Sequence, residues 1–292
     1  MKEIKKLGIV DINEKFGLDS EFKDFIFKPQ EITSIRNLEP HRSEMYSLGL
    51  VLKGEADFIV GLEMYKLKVP CIVVVAPDEV RRWILKNGAI ETKSLFFTED
   101  FVISGLVDTL FLKKFPFFKR SGQHYIPLNS DDLAIIQTLL HQIENKKNSG
   151  LLNKLESIQA LLRALLLEIE GLYDIKTKKE HNPYSRSFYL TEKFKELLSE
   201  NFKEHREVHF YAEKLFVTSK HLSQVVKDET GKTVSELINE IVCLESKVLL
   251  QTKSLNISEI SLHLNFATPT FFGKFFKRNT GMSPLEYRKS LF

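Results

Sequence analysis

Cysteine is nearly absent: Cys71 and Cys243 are the only two among 292 residues. They stand too far apart for a CxxC-type metal or redox pair, and two thiols exclude a disulfide framework. Long hydrophobic runs are missing as well. Stretches such as Cys71–Ala76 fall far short of the roughly 20 apolar residues that cross a bilayer, so no transmembrane helix is expected. Met1–Gly8 scatters Lys2, Lys5 and Lys6 among few apolar side chains and has no h-region before a small-residue cleavage site. That pattern predicts a cytoplasmic protein. Charge of one sign is lacking too: 42 basic against 39 acidic residues give a net +3, too balanced to identify a nucleic-acid binder alone.

What is present suffices for globular folding. Hydrophobic residues make up 43% and charged residues 28%, which excludes a disordered or fibrous chain, and the length predicts two domains. From about residue 30 to 100, β-branched and aromatic runs alternate with turn signals. Tyr46–Lys53, Ala56–Val60, Glu63–Lys68, Cys71–Ala76 and Arg82–Lys86 read as strands, separated at Lys53-Gly54-Glu55, Gly61, Pro70, Pro77-Asp78 and Asn87-Gly88. An antiparallel sandwich or small barrel follows. The period then becomes helical. Leu133, Ile136, Leu139, Leu140 and Ile143 mark a helix over 131–146, and Leu155, Ile158, Leu162, Leu165, Leu166 and Ile169 mark another over 151–173. Their stripes serve either the core of the domain or a dimer seam. Residues 174–187 lose periodicity and gain charge, Asn-Pro and serine, which predicts a linker between a 1–173 domain and a 188–292 domain.

The stretch after the linker repeats itself at an offset of 50 residues. Phe216-Val217-Thr218 matches Phe266-Ala267-Thr268; Leu222, Val225, Val226 and Lys227 match Phe272, Phe275, Phe276 and Lys277; Thr230-Gly231 matches Thr280-Gly281. Each copy reads as a short helix (Val208–Leu215, then Ile257–Leu264), a tight turn, and a second helix (Ser219–Glu229, then Pro269–Asn279) closed by Gly231 or Gly281. This is a tandem helix-turn-helix. Leu222, Val225 and Val226, or Phe272, Phe275 and Phe276, form the apolar stripes. Lys220, Ser223, Gln224 and Lys227, or Thr270, Gly273, Lys274 and Lys277, face outward, a polar and basic set suited equally to a solvated face or to base edges and phosphates. From Pro269 onward five basic residues, among them Lys274, Lys277 and Arg278, stand against one acid. A joining helix over about 233–251 spans roughly 28 Å at ~1.5 Å per residue, near the ~34 Å between successive major grooves.

Ile257–Ile260, Phe266, Phe272, Phe275–Lys277, Gly281–Pro284 and Tyr287-Arg288, with Lys220–Gln224 and Lys227–Gly231 in the first copy, resemble the AraC/XylS family of bacterial transcription regulators. The departures are Asn265 where the family usually has glycine, Ser261 where alanine is common, and Pro269 opening the second reading helix. Asn265 can take the left-handed turn conformation, and proline suits a first helical position. The resemblance implies a sequence-specific DNA-binding regulator. It carries base contacts to Lys220, Ser223, Gln224, Thr270, Phe271 and Lys274, with Phe271 either touching a thymine methyl or lying in the core. Lys227, Lys277 and Arg278 are the expected phosphate contacts.

The N-terminal half resembles the cupin-type sensor domain of that family, through Gly54, Gly61, Pro70 and Pro77–Arg81. The expected fold is therefore α+β in two domains: a cupin-like antiparallel β-barrel with following helices, then an all-α tandem helix-turn-helix. A metal-binding cupin needs an HxH pair, a carboxylate and a later histidine. Here His41-Arg42-Ser43 offers one imidazole and Arg81 replaces the later one, so no metal, cofactor or catalytic residue is expected. Arg81 at a barrel mouth suits a carboxylate or phosphate and Trp83 an apolar effector, with His41 beside them, although each suits a structural role as well. The expected partners are duplex DNA, a small-molecule effector, a second copy of the chain and RNA polymerase. Two rival readings are an effector-independent regulator that uses its barrel only to dimerise, and a cupin enzyme with a helical appendage.

Overall fold

The computed structural model describes residues 23–32, 39–120, 122–177 and 186–291. Met1–Gly8 and most of the expected 174–187 linker lie outside them. The described residues divide into two compact units, one running to residue 177 and the other from residue 186.

The first unit is an antiparallel sheet backed by helices. Its strands are β1 (Phe25–Ile32), β2 (Tyr46–Val60), β3 (Glu63–Lys66), β4 (Cys71–Val75), β5 (Arg81–Phe97) and β6 (Tyr125–Pro127). They are ordered β1-β5-β2-β4-β6, with β3 paired to the far half of β2. The hydrogen-bonded ring does not close. Among the described residues β1 pairs only with β5, and β6 is three residues long and pairs only with β4, so the expected barrel is an open, curled sheet.

Two expected turns prove to be bulges. Lys53-Gly54-Glu55 and Asn87-Gly88 lie inside the continuous strands β2 and β5, where the register slips between Val51 and Ala56. An inserted residue swaps the faces of a strand. Gly49 and Val51 (odd numbers) therefore share the inner face with Ala56, Phe58 and Val60 (even numbers), and in β5 Thr92 and Ser94 share it with Trp83 and Arg81. Strict alternation breaks at both places, which is why the sequence reads as shorter strands. Gly61, by contrast, does make the expected β2–β3 turn at φ +55°.

The outer face carries Leu48, Leu50, Ile72, Val74, Leu95 and Phe97 into a core shared with helices α2 (Ser130–Lys147) and α3 (Lys154–Thr177). Ile136, Leu140 and Ile143 of α2 and Ile158, Leu162, Leu165, Leu166 and Ile169 of α3 are all fully buried there. Those residues are core within the chain, whereas Leu133 and Leu139 are half-buried and Leu155 is exposed. A short helix α1 (Glu99–Ile103) and the aromatic run Phe111–Phe118, neither expected from periodicity, close one end of this core.

The second unit is helical: α4 (Arg186–Asn201), α5 (Val208–Lys214), α6 (Ser219–Thr230), α7 (Val234–Leu250), α8 (Ile257–His263), α9 (Pro269–Thr280) and α10 (Pro284–Leu291). Among the described residues no helix is long and apolar enough to cross a membrane.

The bulge at Gly54 gives a direct test. Its φ is +99°, and a Cβ there would lie 2.4 Å from the Ala89 carbonyl oxygen. Gly54→Ala is expected to destabilise the first unit by about 2 kcal/mol or more. Trp83, the sole tryptophan, reports that unit alone, so its urea-induced fluorescence transition should move to lower urea together with the share of the helical circular-dichroism signal that α1–α3 supply, while the remaining share, from the second unit, stays in place. An unmoved fluorescence midpoint would count against the close approach.

Candidate nucleic-acid interface

Both copies of the repeat are built by the same local rules. Thr218 caps α6 by accepting the His221 N–H at 3.1 Å, and Thr268 caps α9 by accepting the Phe271 N–H at 3.3 Å. Pro269 takes the first helical position, where its missing N–H costs nothing. Gly231 and Gly281 end the two helices at φ +74° and +81°, and their N–H groups return to Lys227 and Lys277. The Thr230 hydroxyl donates to the Val226 carbonyl at 2.7 Å and that of Thr280 to Phe276 at 2.8 Å. The next helices start alike as well: Glu236 receives the Thr233 N–H and Glu286 the Ser283 N–H, both at 2.7 Å, and these bonds hold both carboxyls below their usual range.

The turns differ in length. Phe216 and Asn265 hold the left-handed conformation at φ +57° and +53°. Each is followed by a matching bond, from Val217 N–H to the Ala212 carbonyl and from Phe266 N–H to that of Ser261. In the turns, then, Phe266 corresponds to Val217 and not to Phe216, and Ala267 is an extra residue in the second copy. An offset of 50 aligns the second helices but not the first ones, whose offset is 49. Asn265 adopts the conformation expected of it. Ser261, buried with no partner for its hydroxyl among the described residues, stands where the first copy has Ala212.

The faces of the second helices separate. Leu222 and Val226 of α6 and Phe272 and Phe276 of α9 are fully buried, with Val225 close behind. Phe275, expected in the same stripe, is only half-buried and packs at a tilt beside Phe266 with ring centroids 5.2 Å apart. Lys220, Gln224 and Lys227 are exposed and Ser223 half-buried; Thr270, Lys274, Lys277 and Arg278 are exposed. The Gln224 amide donates to Asp228 at 2.8 Å, a bond that a base edge would have to replace. Phe271 is 60% exposed, which removes the core reading. Helix α7, joining the copies, has 17 residues and spans about 26 Å at ~1.5 Å per residue.

Sequence reasoning missed the segment between α4 and α5. Arg206 donates to the Leu264 carbonyl in the second turn, and its guanidinium carbon lies 3.8 Å from the Phe266 ring centroid. Lys203 lies 3.2 Å from the His263 ring and 3.4 Å from the buried Glu245 of α7. No spacing rule links residues about 60 apart, and the repeat search passes over them because they lie outside both copies.

In the first unit, Arg81 and Trp83 stand two residues apart on β5 and share the inner face, with Trp83 packed at a tilt on Phe58, ring centroids 4.4 Å apart. Arg81 is 4% exposed. It pairs through its backbone with His41 and donates one guanidinium N–H to Ser47 at the other end of β2, so it laces the curled sheet across its interior. Among the described residues its Nε and second Nη have no hydrogen-bond partner. Burial pushes its pKa down to about 10 against the opposing charge of Glu79. His41 is held through Nδ1 at 3.0 Å from the Glu39 carbonyl. Glu79 and His124, both buried, lie 3.9 Å apart and were not singled out from the sequence.

Residues 211–290 match the family model described as a helix-turn-helix domain. The chain is 20% identical over 272 residues to the HTH-type transcriptional activator RhaR of Escherichia coli O139:H28, across 91% of this chain and 94% of RhaR. Among solved structures, ToxT from Vibrio cholerae O395 has a TM-score of 0.46 at 16% identity, over 92% of this chain and 99% of its own. The C-terminal domain of AraT, a response regulator from Geobacillus stearothermophilus, has a TM-score of 0.34 at 27% identity, over 36% of this chain and 88% of its own.

One strained residue of this interface is testable in isolation. Phe216 is 95% exposed, so its ring gains little packing while its positive φ costs on the order of 1–3 kcal/mol. Phe216→Gly should raise the stability of the second unit by about 1 kcal/mol after the entropy of the added glycine is subtracted. The check is a rise of a few degrees in the helical melting transition, with the Trp83 transition unchanged; a fall would mean that the ring holds a contact worth more than the strain.

Proposed function

We propose that this DNA-binding transcription regulator, similar in its helix-turn-helix region and along most of its length to transcriptional activators, reads two successive major-groove segments with α6 and α9 and is switched by an anionic effector held at Arg81. It acts by binding and not by catalysis. The observation that carries the DNA reading is the duplication itself: two capped helices, each presenting polar and basic side chains outward, joined by a helix of about 26 Å, against the ~34 Å between successive major grooves. Lys220, Ser223 and Gln224 are the base-contacting residues of the first segment, and Thr270, Phe271 and Lys274 those of the second. Lys227, Lys277 and Arg278 contact phosphates. The exposure of Phe271 favours a thymine methyl as its target.

Support for the effector comes from Arg81. A desolvated guanidinium with two unpartnered nitrogens is costly to bury unless an anion completes it. A carboxylate answers two parallel N–H donors, and Trp83 beside it suits an apolar body. The same chemistry makes His41 a bystander, since its ring already faces the Glu39 carbonyl. A homodimer, a contact with RNA polymerase that activates transcription, and a cytoplasmic location complete the reading.

Two experiments test it. After the preferred duplex is selected from random sequence, Gln224→Ala and Lys274→Ala should each lose roughly 5- to 150-fold affinity, at different base pairs about one turn apart, with little loss on duplexes already mismatched there. Lys277→Ala should weaken all sequences alike and lower the salt slope by about 1. Preference changes at the same base pairs in both variants would overturn the two-groove arrangement. For the effector, a panel of small mono- and dicarboxylates at millimolar concentration should contain members that raise the melting temperature of the intact protein but not that of Arg81→Met. The unliganded variant should melt within a few degrees of the parent, because an apolar side chain relieves the burial of an incompletely hydrogen-bonded guanidinium while the opposing charge of Glu79 loses its counterpart. If no carboxylate shifts the parent protein, the effector-independent reading takes precedence.

A further inference from the structure

We infer that Arg206, which precedes the first helix-turn-helix in sequence, is a positioning residue for the second one, fixing the direction of α9 and with it the base preference of the second DNA segment. The inference rests on the two-segment reading above. Its basis is a short mechanical chain. Arg206 donates to the Leu264 carbonyl and stacks on the Phe266 ring at 3.8 Å, so it grips the second turn on both sides of Asn265. The Phe266 ring lies 5.3 Å from Phe272 and 5.2 Å from Phe275, centroid to centroid, which carries the grip into α9. Lys203, three residues earlier, anchors the same segment to Glu245 of α7 and to His263 at the end of α8.

The second turn has a particular need for such a grip. It is one residue longer than the first, through Ala267, and each added residue gives the following helix more freedom of direction. Arg206 also lines a cleft of about 460 Å³ with Phe271, Lys274 and Arg278, so it adjoins the side chains proposed to meet the DNA. Its Nε is buried without a partner, as expected of a guanidinium held for its stacking and its one carbonyl bond, not for full solvation. A guanidinium can stack on a ring and reach a carbonyl at once, whereas an ammonium is a point charge.

The test measures Arg206→Ala, Arg206→Lys and Phe266→Leu in the full chain against single-base variants of the preferred duplex, and against a duplex with one base pair inserted between the two segments. Arg206→Ala should lose about 5-fold or more of the discrimination at the base pairs that Lys274→Ala identifies, keep that at the Gln224 base pairs, and tolerate the insertion better than the parent. Its salt slope should not change. Arg206→Lys should behave like the alanine variant, and Phe266→Leu should reproduce the same selective loss. Restoration by lysine, or a uniform loss with a lower salt slope, would identify a phosphate contact and overturn the inference. So would full discrimination in Arg206→Ala or, should that variant fail to fold, in Phe266→Leu. A parent protein with no base preference in either segment overturns the two-segment reading itself, an outcome distinct from a parent preference that the variants retain.

Discussion

Backbone held at positive φ decides the shape of both units. In the sheet, Gly54 lets β2 approach β5 so closely that any Cβ would strike the Ala89 carbonyl oxygen, and the bulge it forms keeps one apolar face continuous around the curl. That continuity brings Arg81 back over Ser47. In the helical unit, Phe216 and Asn265 set the angles at which α6 and α9 leave their turns, while Gly231 and Gly281 stop those helices and release the chain into the next capped start. Remove these conformations and the same residues would still form strands and helices, but with no curled interior and no paired reading faces.

The helical unit was largely legible because its signals are local. Caps, turn glycines and a stripe of period 3.6 all act within a few residues, so the sequence marks α5 to α9 nearly to the residue. The sheet was legible in its strands but not in its closure or continuity. Gly54 and Asn87-Gly88 carry turn chemistry that serves equally well for a bulge, and only the pairing partner decides between the two. The extra residue Ala267 was hidden for a related reason: an offset of 50 maximises identity over the second helices, whereas the hydrogen bonds of the turns fix an offset of 49 before it. The contacts of Arg81 with Ser47 and of Arg206 with Leu264 join residues 34 and 58 apart, and no periodic pattern encodes such a pair.

The two units treat buried charge in opposite ways. Arg206 is partly desolvated but has a ring and a carbonyl to rest against, and its neighbour Lys203 meets the carboxylate of Glu245, so the charges there stiffen a turn. Arg81 is more deeply buried and less completely satisfied. Stability alone would favour an apolar residue at that place. A guanidinium kept inside an apolar sheet, held by Ser47 and opposed by the buried Glu79, is the feature on which the proposed effector site rests.

The unequal copies have a consequence for orientation. A dimer of identical readers has a two-fold axis and sees the same sequence from either direction along the duplex. Here one chain presents Lys220, Ser223 and Gln224 on one helix and Thr270, Phe271 and Lys274 on the other, after turns of different length. Such a chain is a vector and not a palindrome. Bound beside a start site it has an upstream and a downstream end, so a single copy already points, and inverting its target without moving it would turn the rest of the protein to face the other way.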